Sequence, residues 1–290
     1  MMHLFQEISR MVETALSGRI ADVPLRYNRL FPRRSHMPAN TIPPTILDAL
    51  DLADASWRPI LLEGLAAVAA ANPGYLPALA ADNYLPTGQR LFAAFALPLP
   101  AVRYVLVGEG PYPRAESATG VCFMDGAVGD LWSEAGLSKP VNRATSLRNF
   151  MKMLLVADGQ LSAGDTGGAA MAPVAANARG NGSIQTLAQL QQNLTRHGFL
   201  LLNAALVFRP HVPPVIEARA WLPFLQVVLA SLAGTGAKLV LWGKIAEQLK
   251  KLPECAGLEQ LCAEHPYNLS FITHAGMQQL FGPMRLLRAH

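Results

Sequence analysis

The sequence predicts an α/β protein, a three-layer α/β/α sandwich built on a mainly parallel central sheet. Three observations lead there. Short apolar runs recur at residues 104–107 (YVLV), 198–208 (GFLLLNAALVF) and 238–243 (KLVLWG). Each stops at a glycine, asparagine or proline, as buried strands do when they pass into a loop. Between them lie segments with apolar residues at helical spacing, and strands alternating with helices favour parallel pairing.

The chain has 290 residues, enough for one large α/β domain with an arm. Its net charge of +4 is compatible with a polyanionic partner without requiring one. Cys122, Cys255 and Cys262 have no metal-type spacing and read as reduced thiols, with Cys122 a small core residue beside Phe123. Residues 1–10 lack a basic head followed by a long apolar core, and no uninterrupted apolar run reaches membrane-spanning length. A cytoplasmic monomer with no membrane partner is therefore expected.

Taken in order, the chain begins with Leu4, Ile8, Met11, Val12, Ala15 and Leu16 at helical spacing. A basic piece follows, with Arg26, Arg29, Arg33 and Arg34 interleaved with Tyr27 and Phe31. It reads either as a solvated face and linker or as an arm that touches nucleic acid. This arm, residues 1–50, is set apart from a domain over residues 51–290. Residues 57–71 form a helix ending at Asn72-Pro73-Gly74. A second helical piece covers residues 75–82, and a short one passes through Phe92 and Phe95. Residues 125–142 read as a Gly-containing loop, and Thr145-Ser146 as a cap for a helix burying Phe150, Met153 and Leu154. Residues 157–183 are rich in Ala, Gly, Asn and Ser and are expected to be a flexible insertion. Helices are expected over 186–197, 221–232 and 245–252, the last leading toward Cys262 and a loop headed by His265.

The chain is organised around residues 103–123, RYVLVGEGPYPRAESATGVCF. Here a buried strand opens into a tight loop stiffened by Pro111 and Pro113, where glycines admit a close approach to a ligand. Ligands of open α/β sheets bind beyond the carboxyl ends of the strands. In order, the chain carries GEGPYP, GVCF, LLLN, VLWG and HPYNLS. This series resembles the uracil-DNA glycosylase superfamily, most closely the members that read GQDPYH, GLCF or GLAF, LLLN, LLWG and HPSPLS. The resemblance spans about residues 55–290 and is specific because several separated strings keep their order.

The resemblance implies a protein that binds DNA, extrudes a uracil and hydrolyses its N-glycosidic bond in base-excision repair, with no metal or cofactor. Asn203 would then read uracil, its carboxamide matching the N3–H and O4 edge; read alone, it equally closes a turn. Phe123 would stack on the base, and Tyr112 would exclude the 5-methyl of thymine; alone, they are a core residue and a loop aromatic. His265 would donate to uracil O2 as negative charge grows there. Leu269 would enter the duplex as a wedge, and Ser146 and Ser270 would hold phosphates.

Three positions of the first motif depart from the pattern. Gly110 stands where the family has an acid that activates water, Glu109 replaces the glutamine before it, and Pro113 replaces the histidine after Pro-Tyr. Losing a placed carboxylate removes about 10²–10⁴-fold of base catalysis. Glu109 substitutes only if the loop rotates by one residue; otherwise it is a flanking charge. Tyr267 and Asn268 replace Ser-Pro in the last motif. Two further readings therefore stand beside the enzyme: a silent relative that binds uracil, damaged or single-stranded DNA, and a module that uses the fold alone.

Overall fold

Residues 42–180 and 182–289 are described by the computed structural model. The expected N-terminal helix and basic arm, up to Arg34, lie outside the described residues. Helix α1 (Pro44–Asp48) starts on a proline, whose fixed φ suits the first helical turn. Ile46, Ala49 and Leu50 are buried in the core, so packed structure begins before the boundary drawn at residue 51. Helix α2 (Arg58–Ala71) buries Leu61, Leu65 and Val68, and α3 (Tyr75–Ala80) follows the Asn-Pro-Gly break. A 3₁₀ segment, Arg90–Ala96, buries Phe92 and Phe95 and leads to β1 (Tyr104–Gly108).

The stretch expected to be a loop holds a small hairpin, β2 (Trp132–Ser133) and β3 (Gly136–Leu137), then α4 (Lys139–Arg143). Ser138 caps α4 by accepting from the Val141 amide, whereas α5 (Thr145–Ala157) begins after Ala144 with no side-chain cap. The Thr145-Ser146 cap is thus not formed, because both residues already lie inside the helix. Phe150, Met153 and Leu154 are buried on α5 as their spacing requires.

The expectation of a flexible insertion at 157–183 is corrected by helix α6 (Gly168–Gly180), which buries Met171, Val174, Ala175 and Ala178. Low hydrophobicity misled here because alanine is the strongest helix former. The helix lies close to β3 at Gly136, where an added Cβ would sit 3.2 Å from the Met171 Cβ. Helix α7 (Leu187–Arg196) opens with a full capping box between Thr186 and Gln189 and feeds β4 (Phe199–Asn203). Helix α8 (Pro214–Leu232) begins earlier than expected, at a proline. By length and composition it is apolar enough to cross a membrane, yet Trp221, Phe224, Val228 and Leu232 are buried in the core. Strand β5 (Lys238–Trp242), α9 (Lys244–Leu249), β6 (Glu259–Ala263) and α10 (Ala275–Phe281) complete the series. Strand β6 was not anticipated, because EQLCA is too polar to show a buried run.

The sheet order is β4-β1-β5-β6, and every pairing is parallel. Successive side chains point to opposite faces, and the core divides accordingly. Val105, Val107, Leu200, Leu202, Leu239 and Leu241 meet α2 and α8 on one face. Leu106, Leu201, Val240 and Trp242 meet α5, α7 and α10 on the other. That is the three-layer sandwich the sequence predicts. Since all four strands run the same way, Gly108, Asn203, Trp242 and Ala263 end at one edge, and the candidate site lies there.

Candidate active site

Asn203 closes β4 opposite Gly108 of β1 and is 5% exposed. Its side-chain oxygen leans over Gly108: a Cβ added there would lie 3.1 Å from Asn203 Oδ1 and 2.5 Å from Cys122 Sγ. Glycine at 108 therefore makes the space that the carboxamide and the thiol share. None of the described residues hydrogen-bonds the Asn203 carboxamide, and the chain beyond it is held instead by backbone bonds from Ala204 N to Gly108 O and from Ala205 N to Glu109 O. The turn-closing alternative for Asn203 thus has no support in the hydrogen bonding. Burial raises the Cys122 thiol to about 12, which leaves it an uncharged neighbour.

Phe123 sits beside this pair. The Cys122 amide bonds to Leu201 O on β4, and Thr119 Oγ1 donates within the 119–124 loop while accepting from the Val121 amide. These bonds hold Phe123 at φ +68°, left-handed backbone that a bulky residue rarely adopts. Such strain, on the order of 1–3 kcal/mol, persists where the surroundings over-determine it, and it gathers at functional sites. The half-buried ring meets Phe150 and Trp242 edge-on, each at 5.4 Å. Thr119 was not singled out from the sequence, because nothing local marks a threonine that organises a strained loop.

Tyr112 is half-buried on the loop after β1. Burial, and then the negative charge of Asp125, push its phenol pKa upward, so it remains a neutral hydroxyl. At Gly110 an added Cβ would meet only Ala205, at 3.5 Å from its carbonyl oxygen and 3.7 Å from its Cβ. No carboxylate stands at this position. Glu109 lies next to it, its pKa raised by partial burial and drawn back by the positive charge of Lys244. Lys244, the first residue of α9, was also missed, since a lysine after a strand-ending glycine carries no signal.

His265 packs on Gly243, just past β5: a Cβ at Gly243 would lie 2.8 Å from the His265 Cβ. With φ +67° and no room for a side chain, Gly243 is required twice over. The histidine keeps solvent access, yet the protein around it partly desolvates the ring and lowers its pKa. Its Nδ1 accepts the Tyr267 amide at 3.1 Å. In the neutral ring this leaves the proton on Nε2, free to donate outward.

The loop that His265 heads ends in the 3₁₀ turn Leu269–Thr273, which packs on α5. Asn149 of α5, fully buried, directs Nδ2 at the carbonyls of Pro266, Tyr267 and Asn268 at 2.8, 3.2 and 3.4 Å. Tyr267 and Leu269 project from this loop, 68% and 69% exposed. Ser270 is exposed beside Leu269, and Ser146 is half-buried at the start of α5, one turn before Asn149. Asn203, the Phe123 loop and Tyr112 thus gather around the ends of β1 and β4, and His265 stands past β5. Trp242, touched by Phe123, links the two groups. Ser146, Leu269 and Ser270 form an outer rim on α5 and its docked loop. Among the described residues no group of three His, Cys, Asp or Glu is gathered to hold a metal ion.

No protein-family model matches the chain. The chain is 28% identical over 193 residues to a uracil-DNA glycosylase of Nocardioides sp., covering 66% of this chain and 68% of that protein. It is 27% identical over 223 residues to a uracil-DNA glycosylase of Mycolicibacterium gilvum, covering 76% and 83%. Its fold matches the wild-type UNG crystal structure from Nitratifractor salsuginis with a TM-score of 0.78 and 41% identity, covering 84% of this chain and 97% of that one. With its motif order, its parallel sheet and this likeness along nearly the whole of a solved relative, the chain belongs to the uracil-DNA glycosylase superfamily.

Proposed function

We propose that this protein binds DNA and receives an extruded uracil at the edge formed by β1, β4 and β5, hydrolysing its bond to the sugar. The observation that carries this reading is Asn203, a nearly buried carboxamide with no partner among the described residues. Its hydrogen-bonding groups are open to a guest with matching groups, and each bond so formed is worth about 0.5–1.5 kcal/mol net. Uracil offers a donor at N3 and an acceptor at O4, and the carboxamide faces them with one of each. Cytosine reverses both, so it would leave two like groups opposed.

Phe123 supplies the aromatic face that replaces lost base stacking, about 1–3 kcal/mol, and Tyr112 bars a 5-methyl group. In the reaction a water adds to C1′, the C1′–N1 bond breaks, and its electron pair leaves with uracil as an anion. His265 meets the growing charge on O2 with Nε2–H, a donor already aimed because Nδ1 is occupied. Leu269 occupies the place of the departed base, and Ser146 and Ser270 hold the flanking phosphates. Without a carboxylate at 110, rate comes chiefly from binding and leaving-group stabilisation, and Glu109 takes the proton of the attacking water only if the loop turns its carboxylate toward C1′.

The absence of a carboxylate at Gly110 favours one second reading, a protein that binds uracil-containing DNA without cutting it. Incubation with uracil-containing single- and double-stranded DNA, scored as alkali-labile sites, separates the two. Cleavage supports the hydrolase. No cleavage with equimolar protein removes it, and salt-sensitive binding without cleavage supports the silent binder.

A further inference from the structure

We infer that Asn149 is a positioning residue that sets the tautomer and aim of His265 through a single peptide group. Asn149 donates from Nδ2 to the carbonyl of Pro266 at 2.8 Å. The same peptide unit carries the Tyr267 amide, which donates to His265 Nδ1 at 3.1 Å. A line of hydrogen bonds therefore runs from the α5 side chain, through one planar peptide, to the imidazole. Donation to the carbonyl polarises the peptide and strengthens its N–H as a donor, the cooperative effect expected of bonds in series. Planarity fixes the rest: once the carbonyl is held, the N–H direction is held too.

The orientation of the Asn149 amide follows from its surroundings. Three carbonyl oxygens lie within 3.4 Å of Nδ2, and a flipped side chain would set Oδ1 against all of them. At the other end Arg148 Nε donates to Asn149 Oδ1 at 3.4 Å. Only two hydrogens serve three acceptors, so the Pro266 bond is the strong one and the Asn268 contact the weakest. Asn149 is wholly buried and comes from a helix distant in sequence from the loop. A buried donor spent on successive carbonyls of an exposed loop fixes where that loop stands. The loop's own turn bond, Asn268 N to His265 O at 2.9 Å, then closes around the histidine.

The catalytic part of this inference rests on the role of His265 proposed above; the structural part does not. The test is nitrogen-correlated NMR of the His265 ring, with steady-state uracil release measured in parallel. Wild-type protein is expected to show one neutral tautomer, with the proton on Nε2. Asn149→Leu keeps the volume and removes the donor; it should give a mixture of tautomers. Its kcat should fall about 10- to 100-fold, as displaced catalytic groups do, with KM little changed. Asn149→Ser retains one donor; it should recover part of both signals, and it serves alone if the leucine variant does not fold. An unchanged tautomer in a folded donor-less variant, or a wild-type ring protonated on Nδ1, overturns the inference. Tautomer mixing in a protein whose wild type releases no uracil would uphold the positioning and reject the catalytic role of His265.

Discussion

The chemistry at single residues turns on which groups are left with an open valence. Asn203 lacks a partner among the described residues, while His265 has one nitrogen engaged and the other free. That engagement gives a pH dependence with a definite sign. Desolvation lowers the His265 pKa below its ordinary 6.5, and protonating Nδ1 would set two N–H groups face to face. The neutral ring is therefore kept through the neutral range, and activity should fall only as pH drops through a value below 6.5. A profile of kcat/KM against pH should place this acid limb under 6.5, and His265→Asn should abolish it. A limb at or above 6.5 would mean the ring is not held neutral. Asn203 and His265 were both legible in the sequence, because each stands inside a motif whose order marks it. Asn149, Thr119 and Lys244 were not: their roles come from contacts between segments far apart in the chain, and no local pattern records those.

At the scale of elements, the hydrolysis proposed above depends most on the loop after β1. An added Cβ at Gly110 meets only Ala205, at ordinary van der Waals distance. Gly110→Asp is therefore expected to fold and to raise the rate of uracil release, up to about 10²-fold if the carboxylate reaches the water. Single-turnover rates would check it, and no gain would show that the loop aims this position elsewhere. The segment after β4 is held differently. Arg209 donates to Glu217 of α8 at 2.6 Å, Tyr75 of α3 donates to the other carboxylate oxygen, and Asp82 accepts from Arg209 at 3.2 Å. Arg209 and Glu217 are 7% and 1% exposed. Glu217→Ala would leave the Tyr75 hydroxyl and the buried Nε of Arg209 without their acceptor, while Asp82 still pairs with the guanidinium, and should destabilise the fold by about 1–3 kcal/mol, read by urea denaturation. A loss under about 1 kcal/mol would mean that the network relaxes into solvent. Strands β1, β4 and β5 could be read from their apolar runs, whereas β6 and α6 could not. Strand β6 is only partly covered and therefore polar, and α6 is built from alanine, whose helix preference a hydrophobicity count overlooks.

Across the whole molecule, parallel pairing joins the parts. The two faces of the sheet divide the core between them, so neighbouring strand residues such as Val105 and Leu106 belong to opposite halves. The same parallel order sends the loops after Gly108, Asn203, Trp242 and Ala263 out at one edge. The architecture was therefore legible from strand runs and helical spacing, and the place of the site followed from it. What the sequence left open was the geometry that joins the loops: Phe123 against Trp242, His265 on Gly243, and the loop beyond it tied to α5. The most direct test of the whole is base discrimination by Asn203. Release of the target base from otherwise identical DNA carrying uracil, cytosine or thymine should be compared for the wild type and Asn203→Asp. The wild type is expected to cut at uracil alone, and the aspartate variant to lose that cut by at least about 10²-fold. Equal cutting by both proteins, or none by the wild type at equimolar concentration, would contradict the assignment.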